Sequence, residues 1–378
     1  MDPTIPLRGE EGVGRDASTV EDGAILSEHT YVCRVLCDFS YSIGSGWLVS
    51  VPPKRFFLGT GRATRNMPEN QDVNPTASDN TKPTPLKIGT ILNGRFKIIE
   101  LTLNHPILGI HYNAVGKKGE SYIVKMDGEG NLLSLVRSEA GFLNAVSKAC
   151  ASQFFVEFVH GGRVLQMIYF VTQFRPGPSL NDCLCAVPDG KFTVATSCRA
   201  AHFILQAIEW VHKLNHLLRR IDPNVIKYDV EDRVIYLSDL SSVRVDPAKL
   251  SVADVKIKWA GAQIYAPMDH HSAMHCRHDI EALIYFLIEM TTGTLPWADI
   301  GRDKIPLAKK NAIEDKSLFR NCPPAYAQMH NYLSTLNDSS EVDYKRLYMM
   351  LEETWKAAGA SSLTEPQWDW EQLLKTDE

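Results

Sequence analysis

Near Pro178 the chain changes from short apolar runs to long amphipathic ones, which restricts it to a mixed architecture with most strands first and most helices after. Upstream, the runs at 96–101, 122–126 and 167–174 are strand-length and rich in β-branched and aromatic residues. One helix interrupts them, because Leu132, Leu135, Val136, Phe142, Leu143 and Val146 recur mostly at three- and four-residue steps. Downstream, 199–214 is amphipathic through Ile204, Ala207, Ile208, Val211 and Leu214. Residues 280–290 are apolar nearly all round, as expected of a helix at the centre of a domain. The implied fold class is α+β, a β-rich lobe followed by a helical one.

Residues 1–86 stand apart, because 66–85 is dominated by Asn, Asp, Thr, Ser and Pro and reads as a polar linker ending a weakly structured N-terminal extension. A net charge of -5 on 378 residues provides no field for nucleic acid or an anionic membrane. No window reaches the roughly 18 uninterrupted apolar residues of a membrane span; the nearest, 31–51, is broken by Arg34 and Asp38 and reads as a strand-like or collapsed segment. Eight scattered cysteines without framework spacing or a signal peptide fit reduced thiols in the cytoplasm or nucleus.

The chemistry begins at Lys125, which shares one face of the alternating strand S-Y-I-V-K-M with Ile123. A buried lysine needs a partner, and Glu139 falls on the apolar stripe of the following helix, so the two can pair. Asp239 follows the strand V-I-Y-L, where carboxylates often meet cations and phosphates. Taken singly, each is as well read as a structural ion pair or turn cap. In this order they suggest nucleotide binding.

The order resembles that of protein kinases, and most closely the casein kinase I group in its tau-tubulin kinase-like branch. The likeness rests on six segments over 88–371: I-L-N-G-R-F-K-I-I-E, G-P-S-L, G-A-Q-I-Y-A-P, R-H-D-I-E-A-L-I-Y, T-G-T-L-P-W and W-D-W-E. It implies a bilobal kinase fold over 87–371, with a small antiparallel N-lobe carrying one main helix (87–174) and a larger, mainly helical C-lobe (175–371). It also implies ATP and Mg as cofactors, a protein substrate or partner, and nucleotide-binding roles for Lys125, Glu139, Gly109 and Asp239, the last as metal ligand.

Four departures from the family pattern point to lost phosphotransfer. The glycine-rich loop reads L-N-H-P-I-L-G, with Asn104 and Pro106 at glycine positions and only Gly109 kept; proline has no N–H to offer a phosphate. Ile123 and His111 stand where small residues roof the adenine, and such overpacking costs about 1–3 kcal/mol. Arg220 replaces the proton-accepting aspartate, a loss worth about 100- to 10,000-fold in rate. Asp222 replaces the phosphate-contacting lysine, and Val225 the second metal-binding asparagine. The expectation is a kinase-fold scaffold or regulator; the alternative is an active serine/threonine kinase using Asp222 as a displaced base. The histidines at 270–278 read as a polar loop rather than a zinc site.

Overall fold

A computed structural model of the chain describes residues 84–373 apart from 132–133, 150, 250–256, 270, 272 and 339. The expectations for residues 1–83, including the 31–51 segment, for Cys33, Cys37 and Cys150, and for Leu132 and His270 lie outside the described residues.

The N-terminal part is a six-stranded antiparallel sheet. Its strands are β1 (Ile91–Leu92), β2 (Phe96–His105), β3 (Gly109–Val115), β4 (Ser121–Gly128), β5 (Phe158–Val164) and β6 (Met167–Gln173), in the spatial order β1-β2-β3-β4-β6-β5. Alternation divides its faces. Ile98, Tyr112, Val124, Met126 and Val171 close one core. His111 and Lys125, paired in register, lie on the other face together with Ile123 and Phe170. Helix α1 (Leu135–Lys148) packs near this second face, burying Val136, Glu139, Phe142, Leu143 and Val146. Its start is fixed by Ser134, whose hydroxyl accepts from the Arg137 amide at 3.2 Å.

The C-terminal part is mostly helical: α2 (Leu180–Ala186), α3 (Val194–Lys213), α4 (Cys276–Thr292), α5 (Ile305–Glu314), α6 (Pro324–Ser334) and α7 (Tyr344–Ala357). Helix α4 is buried without interruption from His278 to Met290, as its all-round apolarity requires. The amphipathic helix expected at 199–214 starts earlier, at Val194. Thr193 caps it, and Asp369 accepts from the Thr193 amide at 2.6 Å. Short strands lie between α3 and α4: β7 (His216–Leu217) pairs with β10 (Arg244–Val245), and β8 (Ile226–Asp229) with β9 (Val234–Leu237).

The sequence segments that suggested the fold hold its parts to one another. In G-A-Q-I-Y-A-P, the carbonyls of Gln263 and Ala266 accept from the buried Lys309 ammonium at 3.0 and 2.5 Å. Trp297, from T-G-T-L-P-W, donates to the Ile264 carbonyl at 2.8 Å. In W-D-W-E, Trp368 and Trp370 stack 5.0 Å apart, and the Arg199 guanidinium lies 4.5 Å above the Trp368 ring. Among the described residues no helix is long and apolar enough to cross a membrane.

Candidate functional site

Asp279, one turn into α4, sets the position of the loop between β7 and β8. Its carboxylate accepts from the amides of Leu218 and Arg219 at 2.8 and 2.7 Å and from His212 at 2.9 Å. Arg219 is held at φ 67°, a left-handed conformation unusual for a side chain of that size. The next residue, Arg220, is thereby directed inward, its side chain only 2% exposed.

Arg220 meets Asp239, which follows β9. Its Nη2 lies 2.8 Å from Asp239 Oδ2 and 3.3 Å from the Asp239 carbonyl oxygen. Asp239 Oδ1 accepts from Lys125 Nζ at 2.9 Å and from the Ser241 amide at 3.1 Å. The Ser241 hydroxyl completes the set, 3.2 Å from Oδ2. Lys125 also donates to both oxygens of Glu139, at 2.8 and 2.9 Å, and the Leu240 amide donates to Glu139 at 3.0 Å. Lys125, Glu139 and Asp239 are therefore brought together as the sequence suggested, and Arg220 joins them.

The charges support one another. Burial alone would raise the Asp239 pKa, but Lys125 and Arg220 hold it well below the ordinary carboxylate range. Burial alone would depress Lys125, and Asp239 with Glu139 holds it above its ordinary value. Glu139 is pushed up, chiefly by burial, against the pull of Lys125. Within the hydrogen-bonded set two cations meet two carboxylates; around it, Asp222 acts on Arg220 and Glu139 on Arg244.

The β2–β3 hairpin is similarly self-satisfied. His105 Nδ1 accepts from the amides of Ile107 at 3.2 Å and Leu108 at 3.1 Å, while His111 Nε2 donates to the Leu108 carbonyl at 3.0 Å. Burial, then Lys125, pushes His111 down to about 4, so this side chain is neutral near pH 7. Gly109 has a local structural reason to be glycine: at φ 82°, a Cβ would lie 2.4 Å from the Met126 carbonyl oxygen.

Asp222 is near enough to Arg220 to favour its charged form, after the stronger influence of Asp239. Asp222 Oδ1 accepts from the backbone and side-chain amides of Asn224, both at 3.0 Å, a local turn that stabilises the loop. Ile123 is half-buried beside Asn113 in register. Among the described residues no group of three or more His, Cys, Asp or Glu could hold a metal ion; His278 instead accepts from the amide of the N-cap His275 at 2.9 Å, within the first turn of α4.

Sequence reasoning missed His105 and Ser241 as participants. Only the position of His105, two and three residues before the amides it caps, could have signalled its role. The partner of Arg220 is 19 residues away and depends on the tertiary fold.

No protein-family model matches the chain. The chain is similar to a probable serine/threonine-protein kinase of Dictyostelium discoideum, 24% identical over 300 residues, covering 75% of this chain and 58% of that protein. It is also similar to the piRNA biogenesis factor prde-1 of Caenorhabditis elegans, 27% identical over 209 residues, covering 51% of this chain and 38% of that protein. The chain thus spans less than two thirds of the length of either relative. Among solved structures it resembles vaccinia related kinase 3, with a TM-score of 0.57 and 19% identity over 74% of this chain and 94% of that one.

Proposed function

We propose that this kinase-fold protein, related to serine/threonine kinases and of the casein kinase I, tau-tubulin kinase-like type, works as a pseudokinase. It binds a protein partner as scaffold or regulator and transfers no phosphate. The reading includes a place in the cytoplasm or nucleus. The observation that carries it is Arg220 at the position of the catalytic base, bonded to Asp239 at 2.8 Å. A guanidinium cannot accept the substrate hydroxyl proton, and its bond occupies the carboxylate that the family uses for Mg.

Three further observations support the reading. The hairpin amides that would face phosphates already donate to His105. Lys125 is held by two carboxylates. Asp222, the candidate displaced base, is engaged in its own turn. One similar protein is named for a role in piRNA biogenesis and not for an activity, which fits a kinase fold retained for binding.

The test is transfer of labelled phosphate from Mg·ATP to casein by the purified chain, beside a Lys125→Met control. Transfer no greater than the control is expected. Saturable transfer that Lys125→Met abolishes would overturn the proposal.

A further inference from the structure

The kinase fold implies a divalent metal at Asp239, and the residues around this carboxylate do not fit one. Mg2+ requires near-octahedral oxygen coordination and is usually held by one or two carboxylates together with waters and phosphate oxygens. Asp239 is surrounded by donors instead: Lys125 and the Ser241 amide on Oδ1, Arg220 and the Ser241 hydroxyl on Oδ2. Val225 has no side-chain oxygen to offer as a second ligand.

Charge balance leads to the same conclusion. With a carboxylate at position 220, Lys125 would face three carboxylates, leaving two negative charges uncompensated, which is what one divalent ion supplies. With arginine the hydrogen-bonded set of Lys125, Arg220, Glu139 and Asp239 is neutral, and the nearby Asp222 and Arg244 add one charge of each sign. The guanidinium is always charged and presents several donors in a fixed fork, so it can bridge a carboxylate and a carbonyl at once, as it does at Asp239. His105 is analogous at the hairpin, where its ring nitrogen accepts from two amides much as a phosphate oxygen would.

We propose that Arg220 takes the place of the divalent ion, so that the two parts of the fold close on one another without metal or nucleotide. The network spans both: Lys125 comes from β4 and Glu139 from α1, while Arg220, Asp239 and Leu240 follow β7 and β9. The closed position of α1 is thereby built into the chain, and a partner meets one fixed surface. This inference rests on the functional reading above and adds to it a specific role for one side chain.

The test compares melting of the full chain, Arg220→Ala and the double variant Arg220→Ala/Asp239→Asn, each in chelator and in millimolar Mg2+ without nucleotide. The wild type is expected to melt at the same temperature in both. Arg220→Ala in chelator is expected to melt lower by on the order of 10 °C, since it strips a partner from a largely buried network. With the guanidinium gone, Asp239 Oδ2 and the Ser241 hydroxyl are left to offer oxygens in its place, so Mg2+ should restore part of that loss, and the double variant should lose the response. Where Arg220→Ala fails to fold, Arg220→Gln, which keeps an amide donor near Asp239, provides the same readout.

Saturable stabilisation of the wild type by Mg2+ would overturn the inference. So would a folded Arg220 variant that melts like the wild type in chelator, or one that ignores Mg2+. Any of these results beside a wild type inactive toward casein sinks this inference alone, whereas phosphate transfer by the wild type sinks the functional reading.

Discussion

Arg220 Nη2 lies 2.8 Å from Asp239 Oδ2, so the two residues that the kinase resemblance aligns with the base and the metal ligand are bonded to one another. Read in sequence, Arg220 looks like a lost base and Asp239 like a retained metal ligand, two separate facts. In the structure the two are one ion pair, because Asp239 Oδ2 accepts from the Arg220 guanidinium. A buried charge without its partner costs several kcal/mol, so each residue now constrains the other.

Lys125 and Glu139 are expected to behave as a coupled pair. Lys125→Met alone leaves two carboxylates facing each other and should cost about 3–5 kcal/mol. Glu139→Leu alone should cost a similar amount. The double variant should be markedly less destabilised than the sum, with a coupling of about 1–3 kcal/mol in a urea-unfolding cycle. Strict additivity would mean that the pair carries no interaction energy.

His105→Ala frees the amides of Ile107 and Leu108 and removes the acceptor they share. The expected cost is small, about 1 kcal/mol, because the hairpin tip is exposed and water can replace the lost acceptor. Amide hydrogen exchange at 107 and 108 should quicken clearly in the variant. Unchanged exchange at both positions would show that His105 does not protect them.

Much of this was legible in the sequence. The central helix followed from the unbroken apolarity of 280–290, and the Lys125–Glu139 pair from strand alternation combined with a helical stripe. Both signals are local, which is why they survive without coordinates. The bonds of Arg220 to Asp239 and of Leu240 to Glu139 span 19 and 101 residues and have no periodic trace. Helix α3 began five residues before the expected start because Thr193 and Asp369 cap it, and Asp369 is 176 residues away in sequence.

The pH dependence of stability has a definite sign. Burial pushes His111, His202 and His278 down to about 4. Between that value and about 6.5 the unfolded chain binds more protons at each, so stability falls with falling pH by about 1.4 kcal/mol per unit per group. His212 goes the other way: burial would lower it, but Asp279 and Cys276 raise it to about 9. Its contribution is complete below about 6.5 and is lost as pH rises through 9.

Glu289, pushed up by burial to about 8, also loses its contribution as pH rises above about 4.5, and so partly offsets the three histidines in acid. Lys309, pushed down by burial to about 7, opposes His212 and Glu289 above that pH. The net expectation is a stability maximum near pH 6.5, measured as urea midpoints at about pH 5, 6.5 and 8. A midpoint at pH 5 equal to or above that at pH 6.5 would contradict it.

Gly109→Ala should destabilise the chain by about 2 kcal/mol or more. The new Cβ combines a left-handed backbone with a 2.4 Å approach to the Met126 carbonyl oxygen. A thermal melt within about a degree of the wild type would show that the hairpin yields without cost.

The central claim is that the donors and acceptors of the nucleotide machinery are satisfied within the chain, and titration of the wild-type protein with Mg·ATP, followed by its melting temperature, tests it most directly. The account predicts a flat response up to millimolar nucleotide, with or without Mg2+. A saturable rise in melting temperature that requires both ATP and Mg2+ and disappears in Asp239→Asn would contradict it.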